Sequence, residues 1–358
     1  MTDLPTIPIV LTSAAFALET LQAARPHADA LMTTATAHAP RRVLALLDRI
    51  SRRWLVNSGN PGLAEIDAIA EAVGRPGVHF LSVSYEWGCT TAVGPASRAA
   101  PDPALMRVLD WRTPGLGRYI ICADVDGPSG PFQALTWPGF TGVLQANAPG
   151  RFAAALNQAP MRRSGGGLYP LDWARNRARV WRSKALMPAQ VLRHAFERAE
   201  TYADARRLLI ETPVTTPTIF ALAGITRGDH CIIERTETHA SVLPGGRVAA
   251  NMWQTPGWSA RPRGDANAGR MRQAARAMPS LDTAPSRWIA APILNATTRL
   301  AMMAVPATGA LTAQGFEKGR AATAPLWLAG GRDRTPASAE RPERSARHAS
   351  PPPNTEAA

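Results

Sequence analysis

Cys89 follows Gly88 directly and is followed by Thr90 and Thr91. A thiol is a strong nucleophile, and a small residue ahead of it leaves the preceding carbonyl open to attack. Once the Gly88–Cys89 bond is cut, one residue carries both a thiol and a free α-amine. The amine titrates near ~8 and the thiol near ~8.5, so the amine can serve as the local base at neutral pH. Such a device needs no histidine, and none stands beside Cys89 in the sequence. Read alone, Cys89 suits a small buried hydrophobe as well as a nucleophile. Cys122 and Cys231, each inside an apolar run, read as buried hydrophobes.

Three cysteines are too few and too odd a set for a disulfide framework, and they fit a reducing compartment. There is no Cys-x-x-Cys pair and no His-Glu-x-x-His cluster among the seven histidines, so no metal site and no cofactor is expected. The formal net charge of +13 comes nearly all from arginine. Between Arg151 and Lys184 eight basic residues face one acid, Asp172, which suits a solvated Arg-rich face or an anionic partner. Nucleic acid is not expected; a weak contact with an anionic lipid surface is. No run of about 18 uncharged apolar residues suggests a membrane span. The first 24 residues lack a basic leader, which makes the cytoplasm the expected location.

The elements that must position Cys89 follow from periodicity. Residues 1–77 read as helical, with Val43, Leu44, Leu46, Leu47 and Ile50 on one face, a break at Asn60-Pro61-Gly62 and a second helix over Leu63–Val73. The apolar run from Gly77 to Tyr85 suits a buried strand. From Cys89 to Asn157 short apolar runs separated by Gly and Pro clusters predict strands at 90–93, 105–109, 118–125, 132–137, 142–145 and 152–156. A helical pair spans Met187–Ile210, strands return at 218–224, 230–235 and 247–251, a helix covers 266–277, and 297–304 with 309–315 form a last hairpin. Residues 331–358, rich in Arg, Glu, Ala, Ser and Pro, read as a disordered tail. The 45% hydrophobic content allows a sizeable core, and two strand blocks with helices between and after them suggest helices packed over sheets.

Tyr85-Glu86 shortly before Cys89-Thr90, and Arg107-Val108-Leu109-Asp110 eighteen residues beyond Cys89, resemble the junction and the Arg-x-x-Asp motif of the acid ceramidase and N-acylethanolamine acid amidase family of N-terminal-nucleophile hydrolases. Met106 and Val108 stand where that family's motif has Gly and Asn. Trp137 to Leu144 resembles the family's Gly-rich strand pair, and Arg247 to Asn251 its strand ending in a catalytic Asn. The resemblance runs over about residues 78–328 and extends to bile-salt hydrolases, penicillin V acylase and penicillin acyltransferases.

It implies an α+β fold, a four-layer αββα sandwich with antiparallel sheets. It also implies a precursor, in which residues 1–88 become a helical α subunit that stays packed on the β subunit, 89–330. By the same resemblance Cys89 is the nucleophile, Arg107 lowers its pKa, Asp110 holds the new α-ammonium, and Asn251 donates to the oxyanion, a service typically worth ~3 kcal/mol. Asn147 is a second oxyanion candidate and Glu86 a supporting residue. Arg261, Arg263 and Arg270 compete for the family's later arginine, with Arg270 preferred because it opens the helix expected at 266–277. Read without the family, Arg107 and Asp110 suit a structural ion pair, and Asn147 and Asn251 suit turns.

The activity implied is hydrolysis of a linear, non-peptide amide in a small N-acyl compound through a Cys thioester. The alternatives are acyl transfer on the same scaffold, or a non-catalytic basic binding protein. Two departures from the family stand out: human-type members carry an export signal, and the loops around 95–103 and 161–183 differ in length and charge.

Overall fold

The computed structural model describes residues 4–83, 87–95, 101–164, 167–245, 247–276 and 282–329. Two sheets form its centre. The larger has eight strands in the order β1 (Ile9–Thr12), β4 (Ile121–Val125), β5 (Phe132–Thr136), β6 (Gln145–Ala148), β7 (Phe152–Gln158), β8 (Thr218–Ala223), β9 (His230–Arg235) and β10 (Ala240–Pro244). The second has seven: β11 (Val248–Ala249), β2 (Trp87–Pro95), β3 (Pro103–Trp111), β12 (Thr298–Val305), β13 (Ala310–Glu317) and β14 (Arg320–Ala321) in order, with β15 (Leu326–Leu328) also on β13. All pairings are antiparallel except that of β1 with β4.

The sheets pack face to face through β2 and β3 against β7 and β8. Alternation along the strands sorts the side chains. Cys89, Val93, Leu105 and Leu109 join the core shared with β7 and β8, whereas Ala92, Met106 and Val108 join a smaller cluster with Ala274, Ile289 and Ile293. Helices cover both outer faces. Against the larger sheet lie α1 (Phe16–Ala23), α7 (Pro188–Arg198) and α8 (Tyr202–Glu211); against the smaller lie α9 (Asn267–Ala274) and α10 (Pro285–Trp288). The fold is an α+β, four-layer αββα sandwich.

Local chemistry explains the helix ends. Pro188 begins α7, where a missing N–H costs nothing. Thr201 caps α8 by accepting from the Asp204 N–H. Beyond α1, the first segment carries α2 (Arg25–Thr36), α3 (Arg41–Asn57) and α4 (Leu63–Val73), the last closed by left-handed Gly74 at φ 69°.

Four expectations change. Residues 1–77 are not wholly helical, because β1 adds an edge strand to the larger sheet. The run from Gly77 is a helix, α5 (Val78–Ser82), since the Asp48 carboxylate accepts from the Gly77 and Phe80 N–H groups (2.6 and 2.9 Å) and caps its first turn. The strand expected at 142–145 lies at Gln145–Ala148, because Gly142 is pressed on α7, where a Cβ would meet that of Ala189 at 2.6 Å. The Arg-rich stretch read as a loop contains α6 (Tyr169–Arg182). Tyr85, Glu86, the strand end at 84–85 and the tail at 331–358 lie outside the described residues.

Candidate active site

Cys89 is the third residue of β2 and is fully buried. The antiparallel register sets Cys89 opposite Leu109, Thr91 opposite Arg107, and Gly88 opposite Asp110. A one-residue step therefore changes face: Cys89, Thr91 and Arg107 point between the sheets, and Asp110 points out toward α9. The Gly88–Cys89 peptide bond joins the two sides.

On the inner side the Cys89 thiol donates to the Leu156 carbonyl at 3.8 Å. Arg107, with no exposed surface, donates through Nη1 to Asn157 Oδ1 and at 3.4 Å to Thr91 Oγ1. Thr91 Oγ1 itself donates to Asn157 Oδ1 at 2.6 Å. Nε and Nη2 of Arg107 have no hydrogen-bond partner among the described residues. Burial pushes the Cys89 thiol above its ordinary pKa, and the positive charge of Arg107 opposes that rise. Burial likewise lowers the Arg107 pKa, and the neighbouring Cys89 sulfur works against it.

On the outer side α9 lays Arg270 over the strand ends. Its Nη1 is 2.7 Å from Asp110 Oδ2, and its Nη2 donates to Asn251 Oδ1 (3.0 Å) and Asn267 Oδ1 (2.8 Å). Thr298 Oγ1 donates to the other Asp110 oxygen at 2.8 Å. Gly88 passes directly beneath this pair: a Cβ there would stand 3.3 Å from Asp110 Cβ and 3.5 Å from Arg270 Nη1. Asn251 closes the site. Its Oδ1 accepts from the Cys89 backbone N–H at 2.7 Å, and its Nδ2 donates to the Gln158 carbonyl at 2.7 Å.

The structure thus brings together Cys89, Arg107, Asp110, Asn251 and Arg270. Of the other two arginines, Arg261 pairs with Asp172 at 3.3 Å and Arg263 donates to the Ala159 carbonyl. Asn147 stays apart, donating to Gln133 Oε1 and the Gly309 carbonyl. Asn157, Gln158, Thr298 and Asn267 belong to the cluster and were not singled out from the sequence. A signal existed for Asn157, a polar residue ending the apolar run Phe-Ala-Ala-Ala-Leu.

A cavity of about 830 Å³ opens beside the site, and Gly88, Asp110, Gln158 and Arg270 are part of its wall. Trp87 and Trp111, with ring centres 5.1 Å apart, give it an aromatic side. Among the described residues no group of three or more His, Cys, Asp or Glu could hold a metal ion, and the three cysteines are free and buried.

Over part of its length the chain is similar in sequence to acid ceramidase. A stretch of 104 residues, 29% of the chain, is 30% identical to the acid ceramidases of Heterocephalus glaber and of Homo sapiens. The match spans about a quarter of the length of these curated relatives, 25%. No protein-family model matches the chain. Among solved structures, the Caenorhabditis elegans N-acylethanolamine-hydrolyzing acid amidase ortholog is 21% identical with a TM-score of 0.43, over 61% of this chain and 93% of that one. Penicillin V acylase from Agrobacterium tumefaciens is 13% identical with a TM-score of 0.37, over 67% and 86%.

Proposed function

We propose that the chain is a self-processing cysteine amidase: it cuts its own Gly88–Cys89 bond and then hydrolyses linear amides of small N-acyl compounds. The observation that carries this reading is the setting of one residue. The backbone nitrogen of Cys89 lies 2.7 Å from Asn251 Oδ1, its sulfur shares the interior with Arg107, and the glycine before it forms part of a cavity wall.

In the first step the Cys89 sulfur attacks the Gly88 carbonyl carbon. The acyl group passes from nitrogen to sulfur, and water cleaves the resulting thioester. Gly88 leaves as a carboxylate, and Cys89 gains an α-amine where its amide nitrogen stood. Asn251 Oδ1 then accepts from that amine, and the Asp110–Arg270 pair fixes the strand ends around it. In turnover the amine takes the thiol proton, the sulfur attacks the substrate acyl carbon, the substrate amine departs with a proton, and water releases the acid. The oxyanion role expected of Asn251 requires its Nδ2 to exchange the Gln158 carbonyl for the substrate. Trp87 and Trp111 suit a fatty or aromatic acyl group.

The same proposal extends to location. Arg151 is spent on the carbonyls of Phe196, Ala199, Gly130 and Pro131, so the basic stretch is not one continuous face. Helix α6 remains, with Leu171, Trp173 and Trp181 exposed among its arginines, and we assign it a weak contact with anionic lipid. No helix among the described residues is long and apolar enough to cross a membrane.

Intact-mass measurement tests the central claim. The purified chain should yield fragments of about 9 and 29 kDa, scaled from the lengths on either side of the cut. The Cys89→Ala variant should stay at full length and turn over none of a panel of N-acyl amides. A wild-type chain that remains whole and inactive, or turnover by Cys89→Ala, would sink the assignment. Adding a second amine and analysing the products separates hydrolysis from acyl transfer.

A further inference from the structure

The Arg107 guanidinium is fully buried, yet no carboxylate hydrogen-bonds to it among the described residues. Its oxygen acceptors among the described residues, Thr91 Oγ1 and Asn157 Oδ1, are neutral. A buried cation is costly unless it is paired or well solvated by dipoles. An acid at position 157 would be the simpler partner, and it would consume the charge it solvated.

Asn157 is built to hold that place. It is 1% exposed, at the end of β7 where the larger sheet faces β2. Its oxygen receives both Arg107 and Thr91, while its Nδ2 donates to the carbonyls of Ala249 (3.3 Å) and Ala250 (3.5 Å), immediately before Asn251. One amide thus ties Arg107 on β3, Thr91 on β2 and the backbone leading into Asn251.

We propose that Asn157 is a positioning residue: its amide oxygen fixes Arg107 beside the Cys89 sulfur while leaving the guanidinium's charge unneutralised for that sulfur. The inference rests on the reading of Cys89 as the nucleophile. Among the described residues, the charged groups acting on that sulfur are Arg107 and Asp110 from β3 and Arg270 from α9. Asp110 and Arg270 pair with one another. Arg107 is therefore the cation left to stabilise a thiolate, and its placement falls to Asn157.

Two variants separate charge from position. Asn157→Asp keeps an oxygen acceptor in place but neutralises the guanidinium; Asn157→Leu removes the acceptor. The readout is the ultraviolet thiolate absorbance against pH, taken as the difference between each protein and its Cys89→Ala counterpart, alongside Tm. It needs neither self-cleavage nor turnover. Asn157→Asp should keep its Tm and lose thiolate at a given pH by about tenfold, an upward displacement of the titration of about one pH unit. Asn157→Leu should lose thiolate and Tm together.

A merely structural asparagine predicts the opposite for the acid variant, with the Cys89 titration unmoved whatever happens to Tm. That result overturns the proposal even if Asn157→Leu does not fold. A wild-type chain that never cuts itself would sink the amidase reading, and the titration comparison would still decide the role of Asn157.

Discussion

Gly88 and Asp110 face each other across the β2–β3 ladder, and the space between them is set by the absence of a side chain. The Asp110 carboxylate, 5% exposed, answers Arg270 on one oxygen and Thr298 on the other. Removing its charge leaves the Arg270 cation buried among neutral acceptors, Asn251 and Asn267 with them, and breaking a buried pair from one side costs about 3–5 kcal/mol. Asp110→Asn should therefore lower Tm markedly and slow self-cleavage, because Arg270 also holds the Asn251 oxygen that accepts from Cys89. Gly88→Ala should act through the same pair with a smaller loss of Tm, since the added methyl needs a few tenths of an ångström from Asp110. Calorimetry with intact mass checks both, and unchanged cleavage in Asp110→Asn would separate the ion pair from the chemistry. Cys89, Arg107 and Asp110 were legible in the sequence because they lie on adjacent strands, where spacing along the chain still reflects a motif. Asn157 and Thr298 were not: they arrive from strands 68 and 209 positions beyond Cys89, and only the packed sheets show what they touch.

At the level of elements, the helices ahead of the junction are held by side chains that cross between them. Asp67 on α4 joins Arg52 on α3 at 2.8 Å and His79 on α5 at 2.8 Å. The Arg52 hydrogen bond, aided by His79, holds the Asp67 pKa at about 2. A carboxyl depressed by folding contributes stability above its ordinary value near ~3.9, and the contribution disappears as pH falls through the folded value. Wild type should therefore exceed Asp67→Asn in stability by a constant margin above about pH 5, and the margin should shrink steadily between about pH 4 and 2. Asp67 is a third exposed, so the margin should stay within the ~1 kcal/mol usual for such pairs. Thermal unfolding of both proteins across that range measures it, and a margin independent of pH would show that the pair does not titrate with folding. Periodicity found α3 and α4 because their apolar faces repeat at helical spacing. It could not find α5, a five-residue stretch that reads equally as a strand until Asp48, 29 residues upstream of Gly77, caps it. Nor could it find β1, which is too short to show alternation and exists by pairing with β4 more than a hundred residues away.

Over the whole molecule, the segment before Cys89 is woven into the sandwich and does not sit beside it. β1 extends the larger sheet, and Arg193 on α7 reaches Glu65 on α4 at 2.5 Å and the Ala14 carbonyl at 2.6 Å while its guanidinium lies over the Phe16 ring. A cut at Gly88 would leave these contacts intact, so the two fragments have reason to stay together. On the outer surface, α6 carries the proposed lipid contact. Tyr169 at the start of α6 lines the cavity, and Leu171, Trp173 and Trp181 follow it in the open, with Arg175 and Arg182 exposed on the same helix. Aromatic side chains among arginines favour an interface with an apolar interior and anionic headgroups, each cation adding about 1 kcal/mol near such a surface. The protein should therefore co-sediment with vesicles containing anionic phospholipid and much less with purely zwitterionic ones, and the bound fraction should fall as salt rises. Trp173→Ser with Trp181→Ser should weaken binding at every salt concentration, because it removes the apolar share. Arg175→Gln with Arg182→Gln should flatten the salt dependence, because it removes the ionic share. Equal binding to both kinds of vesicle, or none to either, would make α6 an ordinary solvated helix and leave the cavity to fill from solution.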